Sequence, residues 1–427
     1  MNDKSLKSVS DLVEIAGQLP ETTVLIPGGD RIDDIRLVDA ACDYGILSKA
    51  IFVGNEKRII EHASHLCIDI EKHTIIDVDD EQEIGQKTVD LVDGGEVDIV
   101  LKGGISTPVI NRAMLKLAVK PTVSLASIFD ASPISDSRPM ILTDAGVTTD
   151  CNFDRMVDII KNAVEVAQTV MGIAKPKVAV LSANEKQISS LPSTSMGLEL
   201  AKLAWDNALV CGPLSFDLAT DPDSVSTKGI PDCPHAKEVA GKADILVCPC
   251  IDSANILYKT IASMIKYGDA SIAGITVGFK VPYIILSRSD SLFTRLESVA
   301  LCSIYAHRQQ GYKGKSQPRD NDSKIKYPGL PMTEKTKKSY WVFQISTFDC
   351  AGALTSVAAA FSNEGVSIHA VTGYGVRSDQ KGMIEVGFEG DETVKEILVR
   401  RIKRLTKVIS VTEEKTTPKK PPQLISA

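Results

Sequence analysis

Short apolar runs alternate with amphipathic stretches along the first two-thirds of the chain. TTVLIPGG (22–29), KAIFVG (49–54), HTIIDV (73–78) and VDIVLKGG (97–104) read as buried strands. Between them, residues 32–44, KRIIEHASHL and GQKTVDLVDGG have helical patterns, as do residues 10–18. TVSLASIFD, RPMILTDAG, PKVAVLSA (176–183), ALVCGPLSFDLA, ADILVCPC (243–250) and VPYIILS (281–287) continue the strands, with LELAKLAWD as a helix. The clearest helix covers 154–172, where Met156, Ile159, Ile160, Ala163, Val164 and Ala167 follow the three-to-four spacing of one buried face. Apolar strands separated by helices predict a mostly parallel α/β sheet.

The pattern stops after Ala306. HRQQGYKGKSQPRDNDSKIKYPGLPMTEKTKK has no apolar period and is rich in Lys, Pro, Gly and Asp, so residues 311–339 read as a linker. Periodicity resumes at Tyr340 in the order strand, helix, strand, strand, helix, strand, through about residue 411. That order is ferredoxin-like. Residues 412–427 are polar and Pro-rich and read as a flexible tail.

Composition narrows the picture only in places. The chain has 427 residues, 43% of them hydrophobic, enough for more than one core. A net charge of -7 argues against broad nucleic-acid binding but leaves room for a locally basic pocket. The N-terminus lacks a signal-peptide core and no apolar run is long enough for a membrane span, so a cytoplasmic protein without membrane contact is expected. Nine cysteines at irregular spacing predict reduced thiols, not a disulfide framework. The Cys248-Pro249-Cys250 pair lacks a second pair at zinc spacing, and with six histidines no metal site is expected.

Chemistry concentrates where strands end. Lys102, Gly103, Gly104, Ser106 and Thr107 follow one strand, a set that offers a cation, close backbone N–H groups and hydroxyls, or else a plain strand-to-helix turn. Asp144 follows a second strand, and Asp150 or Asn152 would cap the helix beyond it. Asp252, Ser253, Asn255 and Lys259 follow a third, with Asn255 and Lys259 on one helix face. Ser287, Arg288, Ser289 and Asp290 follow a fourth. The cations, hydroxyls and carboxylates suit a phosphate or another oxyanion. Spacing alone leaves a kinase, a transferase, a dehydrogenase and a ligand sensor all open.

Residues 20–310 resemble the phosphate acetyltransferase and phosphate butyryltransferase family, the butyryl branch more closely. The resemblance is carried by LKGGISTPVINRAML, TDAGVTTDCNFDRMVDIIKNAVEVAQTVMG, PKVAVLSANE, CGPLSFDLA, ADILVCPCIDSANILYK and ITVGFKVPYIILSRSDS, in that order. It implies two α/β domains around a central cleft, like those of isocitrate and isopropylmalate dehydrogenases. Domain I would comprise 10–150 with a return at 287–310, and domain II 151–286. It also implies exchange of acyl-CoA and inorganic phosphate for acyl phosphate and coenzyme A, with no bound cofactor, in a homodimer or higher homo-oligomer. Ser287 and Arg288 match the family's Ser-Arg pair, and Arg112 a further anion ligand; Lys102, Gly103, Thr107, Asp144, Asn255 and Lys259 are the other expected substrate contacts. The acetyl branch has an aspartate base six residues past the arginine. Here that position is Thr294, so Asp290 is the expected base and Glu297 its competitor.

The unit at 340–411 resembles an ACT domain through STFDCAGALTSVAAAFSNEGVSIHAV, in which Asp349, Gly352 and Leu354 match the strand-to-helix turn. That implies a small-molecule effector, such as an amino acid, or a dimerising role. Two other readings stay open: another acyl-CoA transferase or hydrolase, and a noncatalytic sensor of coenzyme A or a metabolite.

Overall fold

The structure, a computed structural model, describes residues 6–131, 134, 138–265, 270–285, 290–309, 339–348, 353–362, 366–376, 381–403 and 408–416. The chain divides into two compact units, Met1–Gln317 and Pro318–Ala427.

The first unit is built on strands β1 (Thr22–Pro27), β2 (Leu47–Gly54), β3 (Thr74–Asp77), β4 (Ile99–Leu101), β5 (Ser124–Ala131), β6 (Met140–Thr143), β7 (Lys177–Leu181), β8 (Leu209–Leu214), β9 (Ile245–Val247), β10 (Ala270–Val277) and β11 (Tyr283–Ile284). They form one sheet in the order β3-β2-β1-β4-β11-β10-β5-β6-β9-β7-β8. Each wing is parallel, as the apolar strands predict, but the centre is not. There β10 pairs antiparallel with both β11 and β5, and β5 antiparallel with β6. The sheet is therefore mixed. Its wings run in opposite directions.

The middle of the sheet was the part least visible in the sequence. β10 was not expected, because ASIAGITV is interrupted by small residues. The helix Leu292–Gln309 was not expected either. Its side chains are buried continuously from Thr294 to His307, including Arg295, Glu297, Ser298 and Ser303. A helix buried on every side carries no amphipathic stripe. It packs on β10 and on the helix Asp11–Gly17, and the Ser298 hydroxyl accepts from the Gly274 amide at 3.0 Å. The helix Phe153–Thr169 shows its expected face, with Met156, Ile159, Ile160, Ala163, Val164 and Ala167 all buried.

One cysteine expectation fails. Cys211 and Cys233 are joined as a disulfide, with Cα atoms 6.0 Å apart. Their 22-residue separation gave no motif, since β8 and the turn before the helix Ala236–Val239 bring them together only through the fold. Cys42, Cys67, Cys151, Cys248, Cys250 and Cys302 are free thiols. No described helix is long and apolar enough to cross a membrane.

The second unit contains β12 (Ser339–Phe348), β13 (Ile368–Val376), β14 (Lys381–Gly390) and β15 (Val408–Thr416), with helices Ala353–Ser362 and Glu392–Lys403. The antiparallel sheet has the order β13-β14-β12-β15. Its core stacks Phe343, Phe361 and Phe388 edge to face, with centroids of Phe343 and Phe388 4.8 Å apart. The last strand runs on to Thr416, past the expected end at 411, because Tyr340 and Trp341 pair with Thr416 and Lys415.

Candidate active site

The loops after β1 and β4 cross at glycines. Gly28 has φ +69°, and a side chain there would run into the backbone nitrogen of Ile105. One on Gly103 would run into the Gly28 carbonyl. The Gly103 amide donates to the Pro27 carbonyl at 3.0 Å, which fixes the crossing. Only glycines permit two backbones this close. The crossing sets the position of Lys102, which is half-buried and whose ammonium donates to the Gly103 carbonyl at 3.2 Å.

β11 lies against β4, with Ile284 opposite Leu101. The described chain continues to Ile285 and resumes at Asp290; Ser287 and Arg288 lie outside the described residues, as do Asp349 and Gly352. Thr107 opens the helix Thr107–Leu115 and Arg112 sits in its last turn, both exposed. Ser106 is committed elsewhere: its amide and hydroxyl donate to Glu81, at 2.9 and 2.6 Å. Those bonds hold the Glu81 carboxyl below its usual range.

The register relates the two wings. Val100 pairs with Tyr283, Tyr283 with Thr276, and Thr276 with Leu125; one step on, Leu101 pairs with Ile284 and Ala126 with Thr143. Leu101 and Thr143, the last residues of β4 and β6, thus lie at one level of the sheet. Four strand spacings separate them, ~19 Å. The carboxyl ends of two oppositely directed wings meet there, so Lys102 and Asp144 leave the sheet at nearly the same height.

Asp144 is buried and its carboxylate serves its own turn. It accepts from the amides of Gly146 and Val147, each at 3.0 Å, and Thr148 at 2.9 Å. Burial raises its carboxyl above the usual range, against the pull of those amides. The helix beyond is capped by Asn152, which accepts from the Arg155 amide at 3.1 Å, whereas Asp150 pairs with the Arg155 guanidinium. Asn255, on the helix Ile251–Met264, donates to the Ala145 carbonyl at 2.9 Å and ties that helix to the Asp144 turn. One turn on, the Lys259 ammonium lies 5.1 Å from the Tyr258 ring centre. Burial first, and then the Asp290 carboxylate, raises the Tyr258 hydroxyl. Asp290 therefore lies within electrostatic reach of Tyr258, on the helix of Asn255 and Lys259.

The three positions considered for a base now differ sharply. Thr294 is 4% exposed, and its hydroxyl is 3.0 Å from that of Ser291. Glu297 is 1% exposed, and one carboxyl oxygen has no hydrogen-bond partner. Burial, helped by Asp130, pushes it up to about 9, so it is a neutral acid inside the core. Only Asp290 among them is partly exposed.

The sequence profile described as Phosphate acetyl/butaryl transferase matches residues 82–303, a span holding the Lys102 loop, the Asp144 turn and Asp290. The chain belongs to this family. Phosphate butyryltransferase of Clostridium acetobutylicum is 32% identical over 268 residues, 61% of this chain and 85% of that one. Phosphate acetyltransferase of Thermotoga maritima is 33% identical over 304 residues, 69% and 98% of the two chains. Among solved structures, a branched-chain phosphotransacylase from Enterococcus faecalis V583 is 31% identical with a TM-score of 0.59, over 67% of this chain and 99% of that one. As a member of the phosphate acetyl/butyryl transferase family, the protein is an enzyme that interconverts acyl-CoA and phosphate with acyl phosphate and coenzyme A.

Nothing in the sequence singled out Arg31, Asp34 and Arg295: the Arg31 stem runs beside Gly104, and the buried Asp34 and Arg295 lie 3.4 Å apart. Their only signal was a pair of charges in segments that fold to full burial. Among the described residues no group of three or more His, Cys, Asp or Glu is placed to hold a metal ion.

Proposed function

We propose that the enzyme moves a short acyl group, acetyl to butyryl, between phosphate and coenzyme A, with the phosphate seated beyond the ends of β4 and β11. Arg288 binds it and stabilises the developing oxyanion; Ser287 donates to the reacting oxygen or sulfur; Lys102 and the Gly103 loop complete the cradle. Asp290 takes the thiol proton, a modest task for a group whose ordinary pKa is about 8.5. Thr107, Arg112, Asn255 and Lys259 contact the remaining substrate, and Asp144 shapes the turn on the opposite wall.

The observation that carries this reading is the pairing of Ile284 with Leu101. It brings the chain that leads into Ser287 and Arg288 to the side of Lys102. The common level of Leu101 and Thr143 supports a cleft between a first domain, 10–150 with 287–310, and a second, 151–286, as in isocitrate and isopropylmalate dehydrogenases. The C-terminal sheet order supports an ACT-like regulatory unit in a homodimer or higher oligomer, with an amino acid bound at the turn of Asp349, Gly352 and Leu354. Leu354 is 47% exposed at the start of its helix.

The test is release of free thiol from acetyl- to octanoyl-CoA, with and without phosphate, and with and without a mixture of amino acids. Phosphate-dependent release from the short chains is expected. Phosphate-independent release would replace transfer by hydrolysis, and silence on every substrate would favour a sensor.

A further inference from the structure

Asp34 sits in the first turn of the helix Ile32–Asp43 and is 1% exposed. Its Oδ1 lies 3.4 Å from Nη1 of Arg295, itself 3% exposed, on the helix that begins four residues after Arg288. Its Oδ2 has no hydrogen-bond partner. Arg31 immediately precedes this helix, and its side-chain stem runs beside Gly104: a Cβ there would meet the Arg31 Cγ and Cδ at 3.3 Å. The glycine crossing, Arg31, Asp34 and Arg295 therefore form one packed group at the root of the Lys102 loop.

A carboxylate merely tying two helices would be expected to satisfy both oxygens, because an unpaired buried polar atom costs about 1–3 kcal/mol. This one spends its charge on a set of cations instead. The charged groups acting on Asp34 are Arg31, Arg295 and Lys102, which favour its ionised form, and Asp33, which opposes it. Burial outweighs them and pushes the carboxyl up to about 6.

We propose that Asp34 is the internal counter-charge of the phosphate site, a positioning residue that holds Arg295 and offsets the positive field of Arg31, Lys102 and Arg295 so that the anion is bound and released. This rests on the phosphate placement given above. The sign follows directly. Above the titration the carboxylate weakens the field felt by the anion; below it the neutral acid leaves the cations uncompensated and the anion binds more tightly.

Sulfate is the probe, because unlike phosphate it keeps its double charge across this range. Its dissociation constant is measured by calorimetry on the full chain, for wild type, D34N and R288A, at about pH 7.5 and about pH 5.5. Wild type binds about three- to tenfold more tightly at the lower pH, and D34N binds with the tighter affinity at both. D34N with the wild-type affinity and pH dependence would overturn the proposal and leave the site intact. R288A binding sulfate as wild type does would overturn the phosphate placement itself. If D34N fails to fold, the wild-type profile decides: a flat one overturns the proposal.

Discussion

The Lys102 amide donates to the Ile284 carbonyl at 3.0 Å. That bond joins two stretches of chain far apart in sequence and aligns the lysine loop with the strand that leads into Ser287 and Arg288. The glycine crossing holds the loop from the other side. The backbone at Lys102 is thus held from both sides, the kind of preorganisation that the role proposed for its ammonium requires.

R288A is expected to lower kcat/KM by roughly 100-fold or more, the loss typical of a transition-state donor. K102A, which removes a point charge but leaves the backbone, should act mainly on the KM for phosphate. Steady-state kinetics with varied phosphate separates the two effects. Unchanged turnover in R288A would remove the assigned anion ligand.

D290N is expected to lower kcat/KM by roughly 100-fold at neutral pH, the usual scale of a lost general base. E297Q should keep near-wild-type activity, since Glu297 is already a neutral buried acid. Rates for the two variants under one assay decide. A larger loss in E297Q would transfer the role.

Glu297 also predicts a pH effect on stability. Its folded pKa is raised from 4.5 to about 9. Between these values the folded protein keeps the proton and the unfolded chain releases it, so rising pH destabilises the fold by about 1.4 kcal/mol per unit. The contribution is fully present below 4.5 and gone above about 9. Glutamine cannot release a proton, so the stability difference between E297Q and wild type should grow with pH across this window. Urea unfolding at several pH values checks it; parallel profiles would show that Glu297 ionises freely in the fold.

How far the sequence could be read depended on which force set each element. Strands such as those ending at Gly54 and Leu101 were legible because burial leaves apolar runs. The Phe153–Thr169 helix was legible because one face stays wet. The helix Leu292–Gln309 was not, since its polar side chains are buried: Ser298 accepts from the Gly274 amide of β10 and donates to the Thr294 carbonyl of its own helix. The same difficulty hid the buried Asp34–Arg295 pair. Arg295 and Asp34 are 261 positions apart, and only the fold brings them together. Glu297 and Asp290 are equally acidic in the sequence, and only burial separates a core acid from a candidate base.

Two glycines with the same backbone separate conformation from crowding. Gly28 and Gly95 both have φ +69°, but Gly28 faces the Gly104–Ile105 backbone and Gly95 has nothing within 4 Å of a would-be Cβ. Alanine at either position incurs the left-handed cost of roughly 1–2 kcal/mol. G28A should lose about 1–3 kcal/mol more, the range for overpacking, and lose activity with it. Thermal melts and rates of both variants test this. Equal losses would mean that the crossing can relax.

The last expectation concerns the C-terminal unit. A solved relative whose chain is covered to 99% matches only 67% of this one. The matched profile ends at residue 303, inside the first compact unit, Met1–Gln317. A fold that relatives complete without a C-terminal unit contains its own core, and here that core includes the helix Leu292–Gln309. A chain ending at Gln317 should therefore fold and keep phosphate-dependent thiol release within about threefold of the full protein, a change of less than about 1 kcal/mol in barrier. Any response to amino acids in the full chain should vanish. Reciprocally, an amino acid that alters the full protein's rate should raise its melting temperature and leave the shortened chain's unchanged. Assays and melts of both forms with a panel of amino acids measure this. A response retained by the shortened chain would move the effector site into the first unit, and an inactive but folded shortened chain would make the C-terminal unit part of the catalytic machinery.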